Sequence, residues 1–287
     1  MITQKDKFLI AVSRPRRLTF KLTSLFILFI LLVIKLFDVL AKPNPPAMAN
    51  EMYLAISLIL VVYLWIAESI DVQKYREAEN ELINAERRIK NDHINTVASL
   101  ILTQEAKDPY YRGHSTRVTQ YSMLIARKLG LSRAELDVLE RAAILHDIGK
   151  IGISDILLTK VEKLTSQEMD EIRRHVELSD SILKPLQFLK NERVFIRQHH
   201  ERYDGKGYPD KLRNEEILLG SKILAISDFY DAVSSDRPYR RALSQKEILE
   251  ELKKNRGIQF DPKLADLLLE IIEKEPQTLR QITESAR

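Results

Sequence analysis

Residues 22–41, LTSLFILFILLVIKLFDVLA, and 52–70, MYLAISLILVVYLWIAESI, each supply about the 20 mainly apolar residues that a helix needs to cross a bilayer. Only the proline-rich stretch 42–50, KPNPPAMAN, separates them, too short for a folded sensor domain. The pair predicts a transmembrane hairpin over 22–70, with Tyr63 and Trp65 as interfacial anchors. In the tail 1–21, Lys5, Lys7, Arg14, Arg16, Arg17 and Lys21 face the single Asp6, and this basic excess places the tail in the cytoplasm. Two spans return the chain beyond residue 70 to that same side. A cleavage site at Ala47-Met48-Ala49 is the competing reading, but the run before it is too long for an ordinary signal peptide and a second span follows at once. Lys35 and Asp38 lie three apart and share a helix face, where they are expected to pair or to snorkel toward the outer boundary.

The formal net charge is +4; six basic residues against one acidic give the tail +5 and leave −1 on residues 22–287. A protein that binds nucleic-acid polymer carries its basic excess on the folded domain, so such a polymer is not the expected partner. The chain has no cysteine, which excludes disulfides, a thiol nucleophile and thiolate metal sites. Residues 71–93 are polar and helix-favouring, with Tyr75, Ala78, Leu82, Ala85 and Ile89 at a/d spacing over two heptads. They read as a stalk helix that either pairs with a second copy into a homodimer or stands solvated.

From about residue 94 to the end, helical periodicity dominates and no stretch alternates as a strand does, so 94–287 is expected to be all-α. Four segments place a metal-capable residue on their apolar face. His114 aligns with Val118, Tyr121 and Ile125. The Leu139 and Ala143 stripe runs into His146 and Asp147, with Gly149 suited to the helix end. Ile172, His175, Ser179 and Ile182 fall on one face, as do Leu224 or Ala225, Asp228 and Ala232. A fifth segment puts Phe195 and Ile196 three to four residues before His199-His200. A lone histidine on an apolar face is usually a hydrogen-bonded core residue, but a buried carboxylate is costly unless paired or metal-bound. Five of the six histidines used this way, beside Asp147 and Asp228, point to one metal cluster; His93, in the stalk, is left to solvent. Seven side chains exceed the needs of one ion and, with a carboxylate to bridge, suit two. Imidazole and carboxylate donors without thiolate suit iron, manganese or zinc. Such a pair activates a water and stabilises the leaving oxygen in phosphoester cleavage, so hydrolysis of a phosphodiester or phosphomonoester is the expected chemistry.

The stretch LHDIGKIG around His146-Asp147 resembles the signature of the HD phosphohydrolase superfamily. Together with HHERYDGKGYP at 199–209 it resembles the HD-GYP family, whose members hydrolyse the second messenger cyclic di-GMP. The likeness runs over roughly residues 95–275 and takes in EAKDPYYRGHSTRV at 105–118, ISDFYDAVSSDRPYR at 226–240 and GIQFDP at 257–262. It implies one metal held by His114, His146, Asp147 and Asp228, and a second held by His175, His199 and His200 with Asp147 as the bridge. It further implies that Lys150 contacts the scissile phosphate and stabilises charge in the transition state. Arg237 and Arg241 become candidate contacts to a substrate phosphate or guanine, against a reading as surface ion pairs. Tyr208 becomes a candidate to stack on a guanine or on a partner.

Some family members carry a glutamate four residues before the first histidine ligand and bind three metals. Here that position is Tyr110, with Asp108 and Glu105 farther back, so two ions are expected, and the product is linear pGpG or GMP. In the GYP turn, Gly205 and Gly207 permit positive φ or close approach, and Asp204 is expected to bond backbone amides. In the family this loop resembles a lid or a surface for a signalling partner. The resulting expectation is a membrane-anchored cyclic di-GMP phosphodiesterase in the bacterial inner (cytoplasmic) membrane, its catalytic domain in the cytoplasm. Two alternatives stand beside it: a cyclic-dinucleotide receptor or protein-interaction module with little turnover, and a hydrolase of another nucleotide, such as a mixed cyclic dinucleotide.

Overall fold

A computed structural model of the chain describes residues 29–30, 32–35, 38, 47–105, 111–236 and 240–285. Its regular backbone is helical, as the 3.6-residue pattern predicts, and no β-strand occurs among the described residues. An isolated bridge between Arg256 and Phe260 is the nearest approach to one. Contacts divide the chain into two units, Met1–Glu86 and Arg87–Arg287.

Helix α1 (Ala47–Glu105) runs for 59 residues without a break, through the second apolar run and the stalk positions. It is the one helix among the described residues long and apolar enough to cross a membrane. Leu58, Ile59, Tyr63 and Trp65 are 64–68% exposed, so much of its apolar surface is uncovered among the described residues. The described part of the first apolar run is helical, and Lys35 Nζ lies 4.9 Å from the Tyr53 ring centroid, a cation–π contact. The rest of that run, the basic tail and residues 42–46 lie outside the described residues.

The second unit packs the end of α1 with α2 (His114–Lys128), α3 (Arg133–Leu145), α4 (Asp155–Leu158), α5 (Ser166–Arg173), α6 (His175–Leu183), α7 (Lys190–Gln198), α8 (Leu219–Ser234), α9 (Gln245–Asn255), α10 (Pro262–Lys274) and α11 (Pro276–Ser285). Three helix starts follow from S/T-x-x-E spacing: Ser132 with Glu135, Thr165 with Glu168 and Ser244 with Glu247 form reciprocal capping boxes. Helix α2 has no cap of its own, because it begins after Gly113 at φ 71. Glu105 substitutes, its Oε1 accepting from the Ser115 N–H at 2.8 Å and from the Ser115 hydroxyl at 2.6 Å.

One core joins Tyr121, Ile125, Leu139, Ile223, Leu252 and Leu268; a second joins Ile101 of α1 to Leu145, Ile148, Leu183, Leu189 and Ile196. Between α2, α3 and α8, the buried Val118, Ala143 and Leu224 form a small apolar floor. One turn along each of these helices stand His114, His146 and Asp228, so the floor sets how closely those polar side chains approach.

Two local expectations are corrected. The face predicted from Ile172 to Ile182 is interrupted at Arg174, where α5 ends and α6 begins; His175 and Ser179 are buried, but Ile182 is 39% exposed and Leu183 takes its place. Gly149 is not a left-handed helix cap. It lies in a 3₁₀ turn (Ile148–Gly152) pressed against α6, where its N–H donates to Ser179 Oγ at 2.8 Å. The Ser179 hydroxyl in turn donates to the His146 carbonyl at 3.1 Å. A Cβ at Gly149 would lie 1.9 Å from the His175 carbonyl oxygen. Gly149→Ala is therefore expected to destabilise the protein by about 1–3 kcal/mol or more, as overpacking does. A fall in the calorimetric melting temperature relative to wild type checks this; an unchanged value contradicts the packing described.

Candidate metal centre

Three of the cluster histidines sit where a helix stops. His146 caps α3, His199 caps α7, and His175 follows the last turn of α5. Each turns its Nδ1–H back onto the carbonyl three residues earlier: Ala143 at 2.7 Å, Ile196 at 2.5 Å and Ile172 at 2.7 Å. Those carbonyls belong to the helix end, where the intrahelical ladder runs out of donors. At the break at Arg174, the Ile172 carbonyl is the acceptor that orients His175. His114, at the start of α2, instead donates from Nδ1 to Asp231 Oδ2 at 2.7 Å. A carbonyl or an ionised carboxylate only accepts, so Nδ1 carries the proton in all four rings. Their Nε2 atoms are buried and have no hydrogen-bond partner.

These Nε2 atoms converge on Asp147, which is 6% exposed. Its Oδ2 lies 3.4 Å from Nε2 of both His114 and His146, and its Oδ1 lies 3.4 Å from His175 Nε2. Asp228 Oδ1 is 3.5 Å from His114 Nε2. The donor atoms form three overlapping groups, each within 4.8 Å: His114, His146 and Asp228; His175, His199 and His200; and His146, Asp147 and His199 between them. All seven candidate ligands are thus brought together, with Asp147 between the two outer groups. Buried lone pairs aimed at one space, beside carboxylate oxygens, fit divalent cations and fit little else in a protein interior.

The electrostatics agree. Burial lowers His175; burial together with His146 and His175 lowers His199 to about 3; and burial with His199 pushes His200 well below its ordinary range. Burial thus works against a proton on all three rings. Burial also opposes charge on His114, but Asp147 and Asp231 outweigh it and raise that ring to about 10. The space beside His114 Nε2 therefore demands positive charge. Burial alone would raise Asp147, yet His146, Lys150 and His114 hold it well below the usual carboxylate range.

Lys150 donates to Asp147 Oδ2 at 2.5 Å and lies 4.8 Å from the Tyr111 ring centroid, at the half-open edge of the cluster. Tyr208 stacks on His200, with centroids 4.9 Å apart. Asp204 caps its own turn, accepting from the Lys206 N–H at 3.0 Å. Arg241 is exposed. Arg237, Tyr110 and Asp108 lie outside the described residues. Glu105 is committed to capping α2.

Asp231 escapes the sequence reading. It is 1% exposed and accepts from His114 and, bidentately, from Arg117 (Nε at 2.6 Å, Nη2 at 3.2 Å). The signal was the seven-residue spacing from Leu224 to Asp231, which marks the inner face as well as the spacing to Asp228 does. Glu201, 3% exposed, was likewise missed; it accepts from the Asp210 and Leu212 N–H groups and closes the GYP turn.

The HD domain family matches residues 105–264. The chain is 37% identical over 199 residues to the cyclic di-GMP phosphodiesterase response regulator of Xanthomonas campestris pv. campestris, covering 69% of this chain and 53% of that protein. It is 37% identical over 182 residues to 3'3'-cGAMP-specific phosphodiesterase 3 of Vibrio cholerae serotype O1, covering 63% and 40%. It is 35% identical over 180 residues to the cyclic di-GMP phosphodiesterase of Thermotoga maritima, covering 61% and 48%. The chain therefore spans about half or less of the length of these relatives. With the matched span taking in both the His146-Asp147 pair and the 199–209 turn, the chain belongs to the HD-GYP family of the HD superfamily.

Proposed function

We propose that the chain is a membrane-anchored, two-metal phosphodiesterase that hydrolyses cyclic di-GMP to linear pGpG or GMP. The observation that carries this reading is the convergence of four buried Nε2 lone pairs on the two oxygens of Asp147. His114, His146, Asp147 and Asp228 would hold one cation, and His175, His199 and His200, sharing Asp147, the other. This donor set suits iron or manganese, with zinc also accommodated. When bound, the cations contribute Lewis-acid chemistry, lowering the pKa of a water and offsetting charge on the scissile phosphate. Asp147 keeps both half-sites in register. Lys150 places an ammonium at the open edge, where it meets phosphate oxygens as their charge grows, and the Tyr111 ring holds it there. Tyr208, Arg237 and Arg241 are the remaining candidates for base or phosphate contacts at the rim.

Anchoring rests on the exposed apolar surface of α1 and on the first apolar run, 22–41, ahead of it, with the basic tail and the catalytic unit both in the cytoplasm of a bacterium. Pairing of two stalks through Tyr75, Leu82 and Ile89, which are 48–59% exposed, would give a homodimer. The GYP turn, with Lys206 and Asp210 exposed on either side of it, offers a surface to a signalling partner. A mixed GMP–AMP cyclic dinucleotide is the second substrate reading, favoured by the relative of equal identity that carries that specificity in its name.

The test uses the full chain in detergent, purified anaerobically and loaded with Fe²⁺ or Mn²⁺. It is offered cyclic di-GMP and 3'3'-cGAMP separately and in competition, with products identified by mass spectrometry. Consumption of cyclic di-GMP to a linear product, abolished by chelation, is expected. Preferential loss of the mixed dinucleotide would transfer the assignment, and tight binding without hydrolysis of either would overturn it.

A further inference from the structure

Among the described residues, His200 is the one cluster histidine whose ring makes no hydrogen bond; the other four are tied through Nδ1. Rotation of an imidazole about its last side-chain bond is broad and shallow, so an untied ring does not by itself keep a lone pair aimed. Rings hold it instead. His199 lies 4.0 Å away and His175 5.1 Å away, both ligand candidates themselves, while Tyr208 stacks at 4.9 Å with an interplanar angle of 25°.

The turn that carries Tyr208 is folded back onto this histidine. The Tyr208 N–H donates to the His200 carbonyl at 3.2 Å, and a Cβ at Gly207 would lie 2.6 Å from that same oxygen. Glycine is therefore required where the turn crosses its own start. The turn is pinned from outside as well. Tyr203 and Asp204 donate their N–H groups to the carbonyls of Gln259 and Ile258 at 3.1 and 2.8 Å, and Arg197 holds Asp210 with two bonds of 2.7 Å. The Arg173 guanidinium lies 5.4 Å from the Tyr208 ring centroid. A turn restrained at this many points presents a fixed ring.

We infer that Tyr208 is a positioning residue for His200, its stacked ring replacing the Nδ1 hydrogen bond that the other histidines have. The inference rests on the two-cation reading above and assigns the GYP tyrosine to the second half-site, not to a substrate base. Its hydroxyl plays no part; the flat ring does. Positioning by an outer partner is typically worth about 10–100-fold in metal affinity.

Full-length wild type, Tyr208→Phe, Tyr208→Leu and Tyr208→Met are loaded with Mn²⁺ in the absence of substrate. Bound metal is counted by mass spectrometry during a chelator titration, with circular dichroism and thermal melting as folding controls. Wild type and Tyr208→Phe should each hold two ions. Tyr208→Leu should keep the first and hold the second about 10–100-fold more weakly, its turnover recovering in excess Mn²⁺. Tyr208→Met keeps the bulk without the flat ring and makes the same measurement if the leucine variant does not fold. Leucine or methionine variants that hold both ions as wild type does, with only KM raised, would overturn the inference and return Tyr208 to substrate stacking. Wild type that never binds a second ion would overturn the two-cation reading, and this inference with it.

Discussion

Asp147→Asn is expected to abolish turnover and to weaken both cation sites at once. The wild-type carboxylate offers Oδ2 to His114 and His146 and Oδ1 to His175, each at 3.4 Å, while Lys150 donates to Oδ2. An amide has one acceptor and one donor. Whichever way it turns, one half-site faces an N–H where it needs an oxygen, and that N–H hydrogen-bonds the very imidazole lone pair a cation would use. Hydrolysis under saturating Mn²⁺ should fall below about one-thousandth of wild type, beyond the 10²–10³-fold cost of removing one charge-stabilising donor. Metal counted by mass spectrometry should fall below one ion per chain. Removing the anion also leaves the half-buried Lys150 ammonium facing a neutral amide, which lowers stability. The melting temperature of the metal-free protein should therefore drop too. A variant that keeps two ions, or more than about a tenth of wild-type turnover, would contradict the shared-carboxylate geometry, since one tenfold step is only about 1.4 kcal/mol.

Much of this centre was visible in the sequence because helix geometry is local. Once His114 is placed on the face of Val118, Tyr121 and Ile125, all nearly fully buried, its direction follows without knowledge of the remaining fold. The same holds for His146 behind Leu139 and Ala143. The features that escaped depend on contacts far along the chain. The choice between Asp228 and Asp231 as the more deeply buried acid on α8 depends on how that helix rotates against α2, which is settled by Arg117 and His114, 114 and 117 positions away from Asp231. The break at Arg174 was hidden because its neighbours favour helix; in the structure it stands beside the bond of His175 Nδ1 to the Ile172 carbonyl. The stacking of Tyr208 on His200 gave no sign in sequence, because a turn residue shows no face. The turn that carries the tyrosine is pinned in part by the Ile258 and Gln259 carbonyls, more than fifty residues later.

Asp231→Asn should separate two roles that the carboxylate combines. Asp231 fixes the His114 tautomer through Oδ2 and neutralises the buried Arg117, which is 4% exposed and, among the described residues, otherwise bonds the Arg112 carbonyl. Burial would raise Asp231, yet His114 and Arg117 outweigh it and hold the acid down at about 2, so it is charged throughout the physiological range. An asparagine of the same shape can still accept from His114 with its oxygen, but its amide nitrogen then faces the Arg117 donors. One buried charge is left unpaired, at a cost of about 3–5 kcal/mol. The His114 ring is also held less firmly, which should lower affinity for the first cation about 10–100-fold. The Arg117→Met, Asp231→Asn double variant removes the stranded charge while leaving His114 an acceptor. Unfolding measured in denaturant should show most of the lost stability restored in the double variant, a large coupling between residues in direct contact. Its first-site affinity should rise with it toward wild type. If the double variant is instead as unstable as the sum of both single losses, the Arg117–Asp231 pair does not carry the charge balance of this site, and His114 draws its orientation from elsewhere.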